Sequence, residues 1–311
     1  MHYTPVPMHI PDGFLSLIVS ILCWLVAIAI IGLAISKTNK SLGERQIPLM
    51  GVMAAFIFAA QMINFPVAGG TSGHLLGGAL AAIVLGPWAG MLVMTSVIAV
   101  QALLFQDGGL LVMGANILNM GLLSSTVGYG LYRSVSNQPK TFKLTVAGIA
   151  AWLSVISGAL STSLELWLSS TSQLQAVIPA MLGVHALIGL GEALITVAAL
   201  AFILQTRPDL LDEKSESAKG GRGWIVTGMI VAVSAALLSP FASTDPDGLE
   251  RVARDIGFIS SGQSVPYSII PDYTVPFLGQ TALSTIVAGI IGIFVVISII
   301  LLIGRGMKAK K

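Results

Sequence analysis

The chain has 311 residues, of which 55% are hydrophobic and 10% are charged, and its formal net charge is +2. Soluble globular proteins carry roughly a quarter charged residues, so this composition excludes that class and indicates a polytopic membrane protein. The basic residues form no long run, which gives no support to nucleic-acid binding. The single cysteine, Cys23, lies in an apolar stretch and cannot form a disulfide within the chain.

Apolar runs determine the predicted fold. A helix needs about 20 residues to cross the hydrocarbon core, and it satisfies its own backbone polar groups there. Residues 74–105 are too many for one crossing and carry Gly86-Pro87 in their middle, so we interpret them as two spans. The other spans are 15–35, 47–65, 110–132, 144–168, 178–204, 225–241 and 283–303. The sequence therefore predicts an all-α polytopic fold with about nine transmembrane helices.

The distribution of lysine and arginine predicts the orientation, because basic residues concentrate in cytoplasmic loops. With two crossings in 74–105, fourteen of the sixteen basic residues fall on one side, and only Arg251 and Arg254 fall on the other. We therefore expect the N-terminus, the loop that carries His74 and segment 242–280 to be extracytoplasmic. The C-terminus is then cytoplasmic.

A polar stretch at 206–223 interrupts the apolar pattern and is predicted to be a cytoplasmic linker. It separates a unit at 8–205, with about seven spans, from a unit at 224–311, with about two. The second unit carries the mildly acidic outward segment 242–280 between its two spans. Residues 1–7 form an N-terminal extension ahead of the first unit.

Two histidine-bearing motifs are predicted to lie on the same face of the membrane. Met8-His-Ile-Pro-Asp-Gly directly precedes the first span, and a glycine-rich loop at 66–74 ends in His74. A chain that begins Met-His offers a metal its terminal amine, an amide nitrogen and an imidazole, a donor set that suits Ni²⁺, Cu²⁺ or Co²⁺. A second imidazole would complete a square. The glycine-rich loop could fold inward to bring His74 there, or it could be a flexible turn with a surface histidine.

Several other polar residues lie near this predicted site. Asn64 adjoins the loop and is predicted to orient the His74 ring as a hydrogen-bond partner. His185 and Glu192 are seven residues apart on one helix face, so they could form a relay, an entry site for metal or, as we favour, a structural pair. The sequence contains no phosphate-binding loop, Ser-His-Asp set or HExxH motif, so we expect no enzyme activity and no ATP hydrolysis by this chain.

Four motifs resemble the CbiM/NikM family, the substrate-capture components of energy-coupling factor (ECF) transporters for cobalt and nickel. They are Met8-His-Ile-Pro-Asp-Gly-Phe-Leu-Ser, Asn64-Phe-Pro-Val-Ala-Gly-Gly-Thr-Ser-Gly-His-Leu-Leu-Gly-Gly, Gln106-Asp-Gly-Gly and Gly114-Ala-Asn-Ile-Leu-Asn-Met-Gly. The resemblance covers about residues 8–205. Asp245-Pro-Asp-Gly-Leu-Glu, with the spans around it, resembles the PDGLE or NikN-type accessory domain.

The resemblance implies a square-planar metal site made by the amine of Met8, the amide and imidazole nitrogens of His9, and His74. The metal would be transported as a substrate, with no cofactor. The resemblance also implies a place in the cytoplasmic membrane of a prokaryote, with two cytoplasmic ATPases and a transmembrane coupling (T) subunit as partners. Cobalt would serve cobalamin synthesis and nickel would serve metalloenzymes, and the sequence does not distinguish the two metals.

The extension at 1–7 departs from the family pattern, because in a chain that begins at Met1 the nitrogen of Met8 is part of a peptide bond. Three explanations stay open at this point. The chain could start at Met8, the extension could be trimmed, or Met1-His2 could substitute for Met8-His9.

Two other functions are alternatives to metal capture by a subunit that separate ATPases power. One is an autonomous ion-coupled carrier in which His185, Glu192 and Asp107 conduct protons. The other is a membrane metal sensor that transports nothing.

Overall fold

The computed structural model describes residues 8–41, 46–211, 223–264 and 266–308. The extension 1–7 and most of the predicted linker 206–223 lie outside these described residues. The helices are α1 (Leu17–Ser41), α2 (Gln46–Gln61), α3 (Gly78–Leu85), α4 (Pro87–Val100), α5 (Met113–Asn116), α6 (Ser124–Ser134), α7 (Lys140–Leu168), α8 (Leu174–Thr206), α9 (Gly223–Leu238), α10 (Gly248–Ile256) and α11 (Ala282–Lys308). Two short strands are β1 (Phe65–Val67) and β2 (Thr71–Gly73).

Six helical stretches in the described part of the chain are long and apolar enough to cross a membrane. Large apolar side chains are exposed along α1, among them Leu17, Ile18 and Leu25, as expected of a helix that faces lipid. The protein is a multi-pass membrane protein, and the predicted all-α class is confirmed. The predicted number of nine spans is approximate, because α2 has only 16 residues and α3 only 8.

Residues 74–105 differ most from the prediction. The helix break at Gly86-Pro87 is present: Gly86 has a φ of 82°, and Pro87 is the first residue of α4. With eight residues at 1.5 Å per residue, however, α3 extends only about 12 Å, less than half of a hydrocarbon core. The residues before Gly78 form a hairpin and the His74 loop instead of a further helical turn.

The hairpin of β1 and β2 is the folded form of the glycine-rich loop. Phe65 pairs with Gly73, and the turn glycines Gly69 and Gly70 have positive φ values of 83° and 68°. Strand β2 is fully buried, so the loop folds inward and is not a surface turn. The hairpin lies close to α8: a Cβ at Gly191 would be only 2.4 Å from the Phe65 ring, so this contact requires glycine.

The two units pack against each other along the bundle and at one end of it. Helices α7 and α8 form an antiparallel pair joined by a short turn, and α2 packs against both α9 and α11. The short helix α10 lies against α8 and β2. Helix α10, which belongs to segment 242–280 of the second unit, therefore lies against the hairpin of the first.

Helix α4 continues into a π-helical turn, Gln101–Phe105. The turn ends at Gln106, which has a left-handed φ of 58°, and Asp107 follows at once. A second π-helical stretch, Ile117–Leu123, connects α5 to α6. Because π-helical turns occur frequently at functional sites, the loop that carries Asp107 is a candidate part of a functional site.

Candidate metal site

The segment before α1 is held inside the bundle by two polar side chains. The carboxylate of Asp12 accepts hydrogen bonds of 2.9–3.2 Å from three consecutive backbone N–H groups ahead of α5, those of Leu110, Leu111 and Val112. The amide of Asn116 accepts from the Ile10 N–H at 3.0 Å and donates to the Ile10 carbonyl at 3.1 Å. These bonds fix the backbone on both sides of Pro11.

Met8 and His9 both contact Asp107. The Met8 nitrogen donates to Asp107 Oδ1 at 2.9 Å, and His9 Nδ1 lies 3.0 Å from the Asp107 carbonyl oxygen. Since a carbonyl only accepts, Nδ1 carries a proton in this contact. His9 is 2% exposed, and its Nε2 is buried with no hydrogen-bond partner in the described part of the chain.

His74 enters the site from the end of β2. It is 8% exposed, and its Nδ1 lies 3.0 Å from the Leu75 carbonyl oxygen. Glu192 of α8 holds the next turn of chain, since its carboxylate accepts from the N–H groups of Leu76 at 2.6 Å and Gly77 at 2.9 Å. Burial, followed by the nearby His9, lowers the pKa of His74 to about 4. The ring is therefore neutral at pH 7, the form that binds a metal.

The two histidines meet in one small cavity. Their ring centroids are 5.4 Å apart, and the rings are inclined at 65°. The cavity has a volume of about 70 Å³ and is lined by Met8, His9, Ile10, His74, Leu76, Asn116, Asn119, Met120, Val155, Gly158, Ala159, Thr162, Met181, His185 and Leu249. The three predicted ligand residues thus line the same cavity. No group of three or more His, Cys, Asp or Glu side chains converges as a metal site within the described ranges.

Asn64 does not take the position predicted for it. Its backbone carbonyl accepts a hydrogen bond from the Ser243 N–H at 2.8 Å. Its side-chain Oδ1 is buried and has no hydrogen-bond partner among the described residues. The Nδ1 of His74 contacts the Leu75 carbonyl instead.

His185 and Glu192 bind different groups, so they do not form the structural pair that we favoured from the sequence. His185 Nδ1 lies 2.8 Å from the Met181 carbonyl of its own helix, and the ring lines the same cavity as His9 and His74. Both oxygens of Glu192 bind the backbone that follows His74. A spacing of seven residues places both on one helix face. Glu192 nevertheless contacts the chain that follows the hairpin, whereas His185 contacts its own helix.

The PDGLE segment covers the cavity. The N–H of Ser72 in β2 donates to the Pro246 carbonyl at 2.8 Å, and the Ser72 hydroxyl donates to the Asp245 carbonyl at 2.8 Å. Leu249 of α10 lines the cavity, and a Cβ at Gly248 would be 3.0 Å from His185 Cε1. Glycine at this position thus allows α10 to approach the cavity wall closely.

Comparison with known proteins identifies the family. Residues 9–210 match the sequence model of CbiM, described as the cobalt uptake substrate-specific transmembrane region, and residues 222–309 match that of the PDGLE domain. The chain belongs to the CbiM family. The resemblance to CbiM/NikM with a fused PDGLE domain is thereby confirmed.

Relatives of this CbiM family member are nickel and cobalt transport proteins. A relative from Archaeoglobus fulgidus is named as a fused nickel transport protein, NikMN. It is 37% identical to this chain, over 94% of this chain and 96% of the relative. The cobalt transport protein CbiM of Acetohalobium arabaticum is 29% identical over 68% of this chain and 88% of its own. A crystal structure of a transition metal transporter matches with a TM-score of 0.60 at 33% identity, over 68% of this chain and 100% of that one.

Three residues that hold the segments around the cavity were not predicted in that role. Asp107 and Glu192 are acidic residues in otherwise apolar surroundings, which is a signal of function, but the sequence does not show that both bind backbone N–H groups. Tyr273 hydrogen-bonds Asp107 and carried no signal, because it is 166 residues away in the chain.

Proposed function

We propose that this chain captures Ni²⁺ or Co²⁺ on the extracytoplasmic side, as the substrate-specific subunit of an ECF transporter. One observation carries the proposal: the His9 and His74 rings, with centroids 5.4 Å apart, line one cavity together with Met8. Imidazole nitrogen is a common ligand of divalent transition metals.

Two imidazoles supply half of a square-planar set, and the backbone supplies the rest. We propose the amine of Met8, the amide nitrogen of His9 after it releases its proton to water, Nδ1 of His9 and the imidazole of His74 as the four ligands. Binding through Nδ1 would exchange the 3.0 Å contact with the Asp107 carbonyl for a metal–nitrogen bond. A coordinated amine keeps N–H groups, so the 2.9 Å contact from Met8 to Asp107 Oδ1 is compatible with the bound metal.

This ligand set requires the nitrogen of Met8 to be a free amine. That group exists only in a chain that begins at Met8, which we refer to as the Met8 form. In a chain that begins at Met1, the same nitrogen is an amide that binds a metal only after losing its proton, so the site would lose its amine ligand.

The proposed organisation follows the charge pattern and the family. Residues 8–205 would form the capture unit, 206–223 a cytoplasmic linker and 224–311 the accessory unit, with segment 242–280 outside the cell. The N-terminus would be extracytoplasmic and the C-terminus cytoplasmic, in the cytoplasmic membrane of a prokaryote. Two ATPases and a T subunit would drive transport, and the metal would supply cobalamin synthesis or nickel enzymes.

Transport assays in lipid vesicles test this function. With the Met8 form, its cognate ATPases and its T subunit in one vesicle, we expect uptake of radioactive nickel or cobalt that requires ATP hydrolysis. The matched control replaces ATP with a non-hydrolysable analogue, because nucleotide binding without hydrolysis supplies no free energy for repeated transport.

Two outcomes would contradict the proposal. Uptake by this chain alone that follows an imposed pH gradient would indicate an autonomous carrier. Metal binding without uptake under any of these conditions would indicate a sensor.

A further inference from the structure

We propose that Tyr273 of the accessory unit is a positioning residue for the metal site, acting through Asp107 on the Met8 segment. The inference rests on the proposed function and goes beyond it, because it assigns part of the site geometry to a residue of the PDGLE unit. The contacts that support it form one continuous chain from Tyr273 to Met8.

The first link is a short hydrogen bond between the two units. The hydroxyl of Tyr273 donates to Asp107 Oδ2 at 2.7 Å and accepts from Gln101 Nε2 at 3.2 Å. Tyr273 is 6% exposed, and Asp107 is also buried. Burial, and then the charge of Asp107, raises the pKa of Tyr273 well above its usual value, so the hydroxyl stays protonated as a donor.

The second link is within Asp107, whose two oxygens face different units. Oδ2 accepts from Tyr273, while Oδ1 accepts from the Met8 nitrogen at 2.9 Å. An ionised carboxylate is an acceptor on both oxygens, and fixing one oxygen fixes the rotation that aims the other. Without the phenol, Oδ2 would be buried without this donor, and the carboxylate would be free to rotate away from Met8.

The ring of Tyr273 is held independently of its hydroxyl. It stacks on Phe105, with centroids 4.8 Å apart and an interplanar angle of 17°, and it packs against Phe58 at 6.2 Å. A phenylalanine at this position would keep these contacts. The hydroxyl can therefore be removed with little change in packing.

The backbone around Tyr273 indicates that its placement is constrained. Asp272 and Tyr273 have positive φ values of 50° and 52°, a conformation uncommon outside glycine. Such conformations persist where the surrounding structure holds them, and they concentrate at functional sites. The hydroxyl on Asp107 and the ring on Phe105 are among the contacts of this turn.

Tyr273→Phe in the Met8 form tests the inference by titration with Ni²⁺ and Co²⁺. We expect the affinity for both metals to fall about 10-fold, the lower end of the effect of losing a group that orients a metal ligand. Tyr267→Phe is the matched control: it lies in the same loop, and its hydroxyl donates at 3.0 Å to the Leu103 carbonyl, away from Asp107. This control should bind like the unsubstituted protein.

A double-mutant cycle with Asp107→Asn provides a measurement that a merely structural role would not change. If Tyr273 acts through Asp107, adding Tyr273→Phe to Asp107→Asn should weaken binding no further. Additive losses in the cycle would overturn the inference, as would equal losses from Tyr273→Phe and Tyr267→Phe, or no loss from Tyr273→Phe.

The same titration separates this inference from the proposed function. If the unsubstituted Met8 form binds neither metal, metal capture itself is contradicted, and the positioning role is lost with it. If it binds while Tyr273→Phe binds equally well, only the inference about Tyr273 is overturned.

Discussion

His74→Ala in the Met8 form is expected to lower the affinity for Ni²⁺ and Co²⁺ by at least about 100-fold, more than the loss of an orienting group produces. The substitution removes one of the two imidazoles in the cavity while leaving β2 and its contacts with Pro246 and Asp245 in place. The affinity is measured by equilibrium titration of the purified protein with each metal.

His185→Ala is the matched control for this prediction. His185 lines the same cavity, but its Nδ1 contacts the Met181 carbonyl of its own helix, and it is outside the proposed ligand set. We expect His185→Ala to retain most of the affinity. Equal loss from both substitutions would instead make His185 a ligand, and retained binding by His74→Ala would contradict the proposed site.

Glu192→Gln is expected to lower metal affinity by about 10- to 100-fold without touching a ligand. The carboxylate of Glu192 accepts from both Leu76 and Gly77, and Glu192 is fully buried. A glutamine would direct its NH₂ group at one of these N–H donors, leaving a buried donor unsatisfied at a cost of about 1–3 kcal/mol. The chain after His74 would then shift, and the imidazole with it. Metal titration and thermal unfolding measure the two effects.

Thr196→Val tests whether any change on this face of α8 has the same effect. Thr196 lies one helical turn from Glu192 and is fully buried, and its hydroxyl oxygen has no hydrogen-bond partner in the described residues. Valine keeps its shape, so metal affinity should not change. If Glu192→Gln and Thr196→Val bind metal equally well, Glu192 does not position His74.

Much of the fold was predictable because its signals are local. Apolar runs of about 20 residues predict membrane helices, and Gly86-Pro87 predicts the break that the structure contains. Residues 74–77 were the exception. They continue directly into an apolar run, so the sequence predicts them as part of a membrane helix. The pairing of Phe65 with Gly73 and the contacts to Glu192 show that the chain is not helical there.

The motifs of the candidate site were predictable, but the residues that hold those motifs in place were not. Met8, His9 and His74 were proposed from their residue types and their common membrane face, and the structure places all three at one cavity. The partners of these residues follow from packing between distant elements, which no spacing reveals. Asn64 illustrates this: being next to the loop in sequence did not bring its side chain into hydrogen bonding with the His74 ring.

The most direct test of the proposed ligand set is the amount of Ni²⁺ and Co²⁺ bound per chain in two purified forms, one beginning at Met1 and one at Met8. The proposed site predicts one metal per chain in the Met8 form, and much less bound metal under the same conditions in the Met1 form and in the Met8 form with His74→Ala. Equal binding by the Met1 and Met8 forms would contradict it, because the amine of Met8 could then not be a ligand.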